Sequence, residues 1–292
     1  MFKTSFTKAQ GAGNDFLIVE GAPELFPQRE EWTRRICDRH YGVGADGVLF
    51  VTVPGPSGTE ADLRIFNCDG SEAEISGNGT RCAAAWLVGE GHARGELSIQ
   101  TRAGRKRLRA ISRDANRFVF EMEMGAPILD TASIPFAPPA ATPVSGPIVG
   151  FELPLASGSR RVTVTSMGNP HCSTLVAGFD WDWQALGAEI ERHPYFPRRT
   201  NVEFVHPLGP HQIEVRYWER GVGQTLSSGT GSCAAAVAAI LNGRAENPVT
   251  VKTLAGDLQV RWENEEVFLT GPAEIICRGE FFCREAGEAK DA

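Results

Sequence analysis

Two segments of the chain, 67–85 and 219–236, follow the same residue pattern, and this internal repeat constrains the fold more than any other feature of the sequence. Each segment begins with a polar residue and reaches a Ser-Gly-x-Gly loop nine positions later. A Cys-Ala-Ala-Ala run follows each loop. So regular a register predicts two similar half-domains, each with a glycine-rich loop that opens a helix.

The repeat extends upstream of the loops, where the distances from Asn14 to Asp46 and from Asn169 to Asn201 are both 32 residues. Strand-like patterns are numerous and helix-like patterns few, which predicts an α+β chain with sheets wrapped around central helices. The 292 residues favour two domains. A segment rich in proline and alanine, 131–147, is the best linker candidate. Helices are predicted at 30–38, 80–88, 183–192 and 232–242.

Composition excludes several classes of function. The net charge of −7 and the lack of a long basic run argue against nucleic-acid binding. The seven cysteines include no C-x-x-C pair, so a structural zinc site or a disulfide framework is not expected, and a reducing cytoplasm fits best. Residues 1–8 lack the apolar core of a signal peptide, and the longest apolar stretch, 233–241, is too short to span a bilayer. No membrane association is expected.

The two loops have the chemistry of an anion site. Glycines let a ligand approach the backbone closely, and the helix that follows directs its unpaired N–H groups and the positive end of its dipole into the loop. Two such helices aimed at one carboxylate would also stabilise the dianion that forms when a proton leaves the adjacent carbon. A single loop of this kind is more often an ordinary helix cap, but a matched pair favours a ligand site.

A set of polar residues in predicted turns or near strand ends could recognise an amino acid. Arg220 suits bidentate binding of a carboxylate, and Glu219 suits an ammonium group. The alternative is surface turn chemistry, since asparagine favours turns anyway. His171, after a proline, would orient a substrate or cap a strand. The set consists of Asn14, Asn67, Asn169, Asn201, Glu219 and Arg220.

These residues resemble those of the diaminopimelate epimerase family, over nearly the whole chain from about residue 5 to 275. The matching motifs are Gly13-Asn14-Asp15-Phe16, Gly42-Val43-Gly44-Ala45-Asp46-Gly47, Phe66-Asn67-Cys68-Asp69-Gly70-Ser71-Glu72-Ala73-Glu74, Gly77-Asn78-Gly79-x-Arg81-Cys82, Gly168-Asn169-Pro170-His171, Asn201-Val202-Glu203-Phe204 and Tyr217-Trp218-Glu219-Arg220-Gly221-Val222-Gly223-x-Thr225.

The resemblance implies two pseudo-symmetric domains, each a curved, mostly antiparallel sheet around a central helix. It places the N-terminal half-domain at 1–130, completed by about 272–285, and the C-terminal one at 131–271, with the active site in the cleft between them. The reaction implied is epimerisation of LL-2,6-diaminopimelate to the meso form, a precursor of lysine and of peptidoglycan. The family needs no cofactor or metal, acts on a small-molecule amino acid, and often forms homodimers.

Residue roles carry over from the resemblance by position. The six polar residues of the set above would hold the substrate, mainly at its non-reacting end, while His171 and Glu219 would support catalysis. The reacting carboxylate would bind to backbone N–H groups of Gly77, Asn78, Gly229 and Thr230.

The chain departs from the family pattern at the two residues that move the proton. The family has a cysteine before each Gly-x-Gly, one thiolate acting as base and one thiol as acid, whereas this chain has Ser76 and Ser228. A thiol has a pKa of about 8.5, and a helix N-terminus lowers it. A serine hydroxyl is a much weaker acid and needs a neighbouring base. Cys82 and Cys233 lie further on, inside the predicted helices, where they should be buried.

Three interpretations follow. The chain is an epimerase that uses Ser76 and Ser228 as its acid and base; or it is a divergent racemase or dehydratase acting on a related amino acid; or it is an impaired or inactive family member that only binds ligand. The intact set of binding residues favours the first, and the altered acid/base groups favour the others.

Overall fold

A computed structural model describes residues 2–26, 28–139 and 146–283 of the chain. Its strands are β1 (Phe2–Gly11), β2 (Asn14–Glu20), β3 (Gly47–Thr52), β4 (Ala61–Asn67), β5 (Glu72–Ala73), β6 (Glu96–Thr101), β7 (Gly104–Asp114), β8 (Arg117–Gly125), β9 (Ile148–Leu155), β10 (Gly158–Ser166), β11 (Pro170–Leu175), β12 (Asn201–Gly209), β13 (Gln212–Glu219), β14 (Gly223–Thr225), β15 (Val249–Thr253), β16 (Gly256–Glu263) and β17 (Glu266–Cys283). The α-helices are α1 (Arg29–Cys37), α2 (Gly77–Gly89), α3 (Trp183–Glu191) and α4 (Gly229–Leu241).

The described residues form two compact units, which we call unit 1 (2–120 and 272–283) and unit 2 (121–271). In unit 1 the strands pair in the order β17, β1, β2, β3, β4, β6 and β7, with the short β5 also on β4. All pairs are antiparallel except β2 with β3 and β4 with β6. The parallel pairs require crossover connections, and α1 and α2 supply them.

Unit 2 repeats this order of strands. Its strands pair as β9, β10, β11, β12, β13, β15, β16 and β17, with the short β14 also on β13. The parallel pairs are again two, β11 with β12 and β13 with β15, and α3 and α4 form the crossovers. The predicted α+β fold, mostly antiparallel sheet around a central helix in each half, is therefore confirmed.

The central helices α2 and α4 form the core of their units. α2 packs against β1, β2, β3, β4 and β6, and α4 packs against the equivalent strands of unit 2. The alanines after each loop, 83–85 and 234–236, are fully buried. Because alanine has the highest helix propensity and the smallest side chain that still favours a helix, it lets the sheet approach closely. Larger buried side chains, such as Phe50 in unit 1 and Phe204 in unit 2, fill the opposite side of each sheet.

Several element boundaries differ from the sequence prediction. Both central helices begin three residues earlier than predicted, at Gly77 and Gly229, because their first turn is glycine-rich and reads as a loop. Part of the predicted linker, 140–145, lies outside the described residues. Among the described helices, none is long and apolar enough to cross a membrane.

Gly42 is among the glycines that the packing requires. Gly42 follows α1, and a Cβ there would lie 2.3 Å from the carbonyl oxygen of Arg35 and 2.6 Å from that of Ile36. These oxygens belong to the backbone of α1 and cannot move away without distorting the helix. Gly42→Ala should therefore lower the free energy of unfolding by about 3 kcal/mol, as overpacking does. Urea denaturation would measure this. Gly209→Ala is the control, because a Cβ there meets no atom within 4 Å; equal losses in both variants would contradict the steric explanation.

Candidate active site

The first loop caps the central helix of unit 1. Ser76 has extended backbone dihedrals, and its Oγ accepts a hydrogen bond from the N–H of Gly79 at 3.1 Å. The hydroxyl of Thr80 donates to the Ser76 carbonyl at 2.7 Å. Serine is favoured at this position because its oxygen satisfies an N–H that has no partner within the helix. The N–H groups of Gly77 and Asn78 thus belong to the helix end at which an anion is stabilised.

A buried cation lies beneath this loop. The Arg81 side chain is fully buried, and its guanidinium donates to the Gly77 carbonyl at 3.2 Å and to Asn78 Oδ1 at 2.6 Å. It also donates to the Pro272 carbonyl at 3.2 Å. Arg81 therefore fixes the first turn of α2 and adds positive charge to a helix end that already favours an anion.

The second loop repeats the cap but differs in the charged group beside it. Ser228 has nearly the same dihedrals as Ser76, and its Oγ accepts from the N–H of Gly231 at 3.3 Å. The hydroxyl of Ser228 donates to Glu219 Oε2 at 3.1 Å. In unit 1 the charged residue at the loop is a guanidinium; in unit 2 it is a carboxylate. Ser228 therefore has the neighbouring base that a serine needs in order to act on a proton.

Glu219 is held at the end of β13 by two hydroxyl groups. Thr225 Oγ1 donates to its Oε1 at 2.6 Å, and Ser228 donates to the other oxygen. The side chain keeps partial exposure. Desolvation by the surrounding protein raises the pKa of Glu219, while these two hydrogen bonds and the charge of His171 act in the opposite direction. A carboxylate with a raised pKa is a better proton acceptor than an ordinary surface glutamate.

His171 lies fully buried on β11. Its Nδ1 is 2.6 Å from Glu203 Oε1 and its Nε2 is 2.9 Å from Asn169 Oδ1. Asn169 in turn lies 3.5 Å from the hydroxyl of Thr230, in the first turn of α4. The structure thus groups Asn169, His171, Glu219, Ser228 and Thr230 in one part of unit 2.

The remaining polar residues of unit 2 form a neighbouring group. Asn201 begins β12 and accepts from the backbone N–H of Arg220 at 2.9 Å, while it donates to the Pro170 carbonyl at 3.0 Å. The Arg220 guanidinium is exposed and donates to the Arg198 carbonyl at 3.2 Å. Asn201 therefore fixes the turn from which the Arg220 side chain extends.

In unit 1, Asn14 and Asn67 lie at the same end of the sheet, beside the start of β3. Asn14 begins β2 and donates to Asp46 Oδ2 at 2.7 Å, and Asn67 ends β4 and donates to Ser71 Oγ at 3.0 Å. The turn between β1 and β2 approaches the first loop closely, because a Cβ at Gly11 would lie 3.2 Å from the Asn78 carbonyl oxygen. All the site residues predicted for unit 1 are thus at one end of its sheet.

The nearby helix cysteines are not placed to replace the serines. Cys82 and Cys233 are both fully buried, as predicted. Burial raises the pKa of the Cys82 thiol to about 12, although the charge of Arg81 acts in the opposite direction. A thiol that stays protonated at neutral pH is a poor base.

Sequence reasoning did not single out two buried charged residues that lie beside predicted site residues, Arg81 in unit 1 and Glu203 in unit 2, and recorded them only as parts of motifs. A signal for Glu203 was present: it lies 32 residues after His171, the same distance that separates Asn169 from Asn201. In the parallel pair β11/β12, His171 is opposite Asn201, and Glu203 is two residues further on the same face.

The fold is also found in a solved structure. The structure of a probable proline racemase from Agrobacterium radiobacter K84, with bound carbonate, aligns with a TM-score of 0.72 and 14% identity, over 98% of this chain and 94% of that one. At this identity the likeness defines the fold class alone.

Sequence comparison defines the family. The diaminopimelate epimerase family model matches residues 6–129 and 163–276. A diaminopimelate epimerase from Pelotomaculum thermopropionicum is 42% identical over 284 residues, 94% of this chain and 98% of that protein. One from Desulfitobacterium hafniense is 41% identical over 280 residues, 93% of this chain and 96% of that protein. The chain belongs to the diaminopimelate epimerase family, as its motifs predicted.

Proposed function

We propose that this chain catalyses the cofactor-independent epimerisation of LL-2,6-diaminopimelate to meso-diaminopimelate, by removing the proton of one α-carbon and returning a proton from the opposite face. Family membership supports the reaction. The observation that carries the mechanism is the hydrogen bond from Ser228 to Glu219 at the N-terminus of α4. This hydrogen bond gives Ser228 a neighbouring base, Glu219, in a chain that lacks the thiolate that serves as the base elsewhere in the family.

The proton removed from the α-carbon would pass to Ser228 Oγ as the hydroxyl proton of Ser228 passes to Glu219. The carboxylate becomes a carboxylic acid, and the electron pair of the broken C–H bond moves into the substrate carboxylate. Ser76 would then donate its hydroxyl proton to the other face of the carbon. The cycle closes when Ser76 regains a proton from water and Glu219 loses one. This route requires that both serines reach the same α-carbon.

The dianion formed in between needs stabilisation by groups that are already oriented. We assign this role to the backbone N–H groups of Gly77 and Asn78 in α2 and of Gly229 and Thr230 in α4, each within the first turn of a helix. The buried guanidinium of Arg81 adds to the positive potential in unit 1. Such donors supply the largest single contribution in many enzymes, because they need no reorganisation during the reaction.

The non-reacting end of the substrate carries a carboxylate and an ammonium group. We assign the carboxylate to the exposed Arg220 guanidinium, and the ammonium group to Glu219 together with the asparagine side chains. Glu219 can interact with the ammonium group as well as with the hydroxyl of Ser228, because its two oxygens accept from different hydroxyl groups and its side chain keeps partial exposure. The asparagines are Asn14, Asn67, Asn169 and Asn201.

The test is proton NMR of LL-diaminopimelate with the purified protein in heavy water. Loss of the α-proton signal together with appearance of the meso isomer is the expected result, because a proton taken from one face is replaced by deuterium on the other. The Ser76→Ala, Ser228→Ala double variant is the control and should do neither. Exchange without the meso isomer would indicate chemistry on one face only, and no exchange at high protein concentration would overturn the proposed function.

The cellular setting is also a proposal. A cytoplasmic enzyme that acts on a free amino acid fits the net charge of −7 and the seven cysteines, none of which forms a disulfide among the described residues. The resemblance adds the expectation of a homodimer. Sedimentation equilibrium of the purified chain would test it against a monomer of 31.6 kDa.

A further inference from the structure

Unit 2 contains a cavity of about 470 Å³ at the C-terminal end of α4. Residues of β9, β10, β11 and β12 line it together with the last turn of the helix. Because a helix of 13 residues is about 20 Å long, the cavity is well separated from Ser228 at the other end of α4. Its volume lies within the range of sites for small molecules. None of the residues assigned to catalysis or substrate binding above lines it.

Arg161, on β10, is one of the cations that line this cavity, and β9 holds its side chain in place. The guanidinium lies against Gly150, where a Cβ would be 2.6 Å from Nη2, so a larger residue there would displace it. Glu152, opposite Arg161 in the β9/β10 register, lies 3.7 Å from Nε and also accepts from the hydroxyl of Ser159 at 2.9 Å. The Arg161 side chain remains 75% exposed, so it is positioned but still accessible to a ligand.

Arg244 is the second such cation, and the end of α4 fixes its backbone. The N–H of Gly243 donates to the Ile240 carbonyl at 2.9 Å, and the N–H of Arg244 donates to the Ala239 carbonyl at 2.8 Å. Gly243 has a φ of +63°. This pair of bonds around a left-handed glycine is the Schellman motif, which ends a helix in a defined geometry. The first residue beyond that glycine is therefore held at the mouth of the cavity.

A further pair of hydrogen bonds ties the helix end to the sheet. The Asn242 side chain donates to the Ala238 carbonyl at 2.7 Å and to the hydroxyl of Thr163 on β10 at 2.8 Å. Since the last carbonyls of α4 have partners, the negative end of the helix dipole is partly offset. The Arg244 guanidinium, in contrast, has no hydrogen-bond or ion-pair partner among the residues that the structure describes.

Unit 1 contains the equivalent cavity, also of about 470 Å³, at the C-terminal end of α2. The residues 10, 14 and 16 positions after the N-cap serine line both cavities, and they are Trp86, Glu90 and His92 in unit 1 and Ala238, Asn242 and Arg244 in unit 2. Three glutamates and one arginine line the cavity of unit 1, and the arginine, Arg278, binds Glu90. The fold therefore forms this cavity twice, but only the side chains of unit 2 give it positive charge.

The charges of the unit 2 cavity suit an anion. Arg160 also lines it, but the Arg160 guanidinium stacks on Trp181 at 5.4 Å from the ring centroid, which leaves Arg161 and Arg244 against the single carboxylate of Glu152. Guanidinium groups bind the oxygens of phosphates and carboxylates through paired hydrogen bonds. We propose that this cavity is a second ligand site, for a small molecule whose phosphate or carboxylate group binds to Arg161 and Arg244. The site is independent of the proposed function.

Titration calorimetry with inorganic phosphate, at low ionic strength to limit screening, tests this inference. We expect the unchanged protein to bind phosphate with a Kd of about 1 mM or lower. Arg161→Gln and Arg244→Gln should each raise that Kd at least about tenfold, because each removes a hydrogen bond to a charged group. Both side chains are exposed, so both variants should fold.

Succinate, titrated in the same way, distinguishes the two sources of the anionic group. The anion that binds with the lower Kd, and loses affinity in both variants, identifies the class of ligand as a phosphate or a dicarboxylate. Binding of neither anion up to about 10 mM would overturn the proposal.

Arg192→Gln is the matched control. Arg192 follows α3, is exposed and lies outside the cavity, so this variant has the same loss of charge but should keep the Kd of the unchanged protein. Arg220→Gln removes the exposed cation of the candidate active site and should also keep it. An unchanged Kd in Arg161→Gln and Arg244→Gln, or an equal rise in Arg192→Gln, would contradict the assignment. No readout depends on turnover, so a failure to epimerise diaminopimelate would overturn the proposed function and leave this test intact.

Discussion

A variant with both Ser76→Cys and Ser228→Cys should epimerise LL-diaminopimelate at least about 100-fold faster than the unchanged protein. The reason is the acidity of the group that moves the proton: a thiol has a pKa of about 8.5, and the N-terminus of a helix lowers it further. Ser76 and Ser228 both occupy such a position. Appearance of the meso isomer by NMR, at matched protein concentration, measures the gain.

The two single variants show whether the serines act as a pair. Each restores a thiol on one face only, so each should gain less than the double variant, and the gains should not be additive. Ser112→Cys with Ser159→Cys is the control for unspecific thiol effects, because both serines are exposed on strands. No gain in a folded double variant would count heavily against diaminopimelate as the substrate.

Replacing Glu219 by glutamine should have the second large effect. Gln keeps the size of the side chain and an oxygen for the hydroxyl of Thr225, but it cannot take a proton from Ser228. General acid–base catalysis contributes about 10²–10⁴-fold, and kcat should fall by that order. Glu214→Gln, outside the site, should retain its activity. A rate within about threefold of the unchanged protein would remove Glu219 from the mechanism.

The pH dependence of the same variant follows from the raised pKa. Desolvation raises the pKa of Glu219 above its ordinary value of 4.5, and the ionised form is the active one. The rate of the unchanged protein should therefore fall, as the pH is lowered, at a pH above the ordinary glutamate range. The residual rate of Glu219→Gln should lack this limb. An identical limb in the variant would assign it to another group.

The contribution of Glu219 to the stability of the fold should change with pH in the opposite sense to its contribution to the rate. Because the folded protein holds the Glu219 proton more tightly than the unfolded chain, the contribution of this residue to stability is fully present below pH 4.5 and is lost as the pH rises through the folded-state pKa. Glu219→Gln should thus gain stability relative to the unchanged protein when the two are compared at about pH 8 rather than pH 4. Urea denaturation at the two pH values checks the sign.

The sequence was sufficient for the features that depend on local pattern. The repeat, the α+β fold and the family were predicted and are confirmed. The burial of Cys82 and Cys233 was also predicted, because both follow the loops on apolar helix faces. The roles of the site residues stay predictions, as do the domain limits.

What the sequence did not reveal depends on burial and on pairing across strands. Arg81 and Glu203 are charged, and charged side chains are normally exposed, so nothing in their neighbourhood indicated that both would be enclosed. The bond between Glu219 and Ser228 was missed because it depends on how the end of β13 returns beside the start of α4. Only the register of the folded sheet brings such groups together.

Ser76 and Ser228, the N-cap residues of α2 and α4, link the evolution of the chemistry to the stability of the fold. Each serine oxygen that would move a proton also caps its helix. Sulfur is a weak acceptor, and loss of a cap costs about 1 kcal/mol. A lineage that exchanges both residues for cysteine must therefore tolerate a loss of about 2 kcal/mol, out of a total stability of about 5–15 kcal/mol. Such exchanges are tolerated mainly in chains that remain more stable than function requires without the two caps.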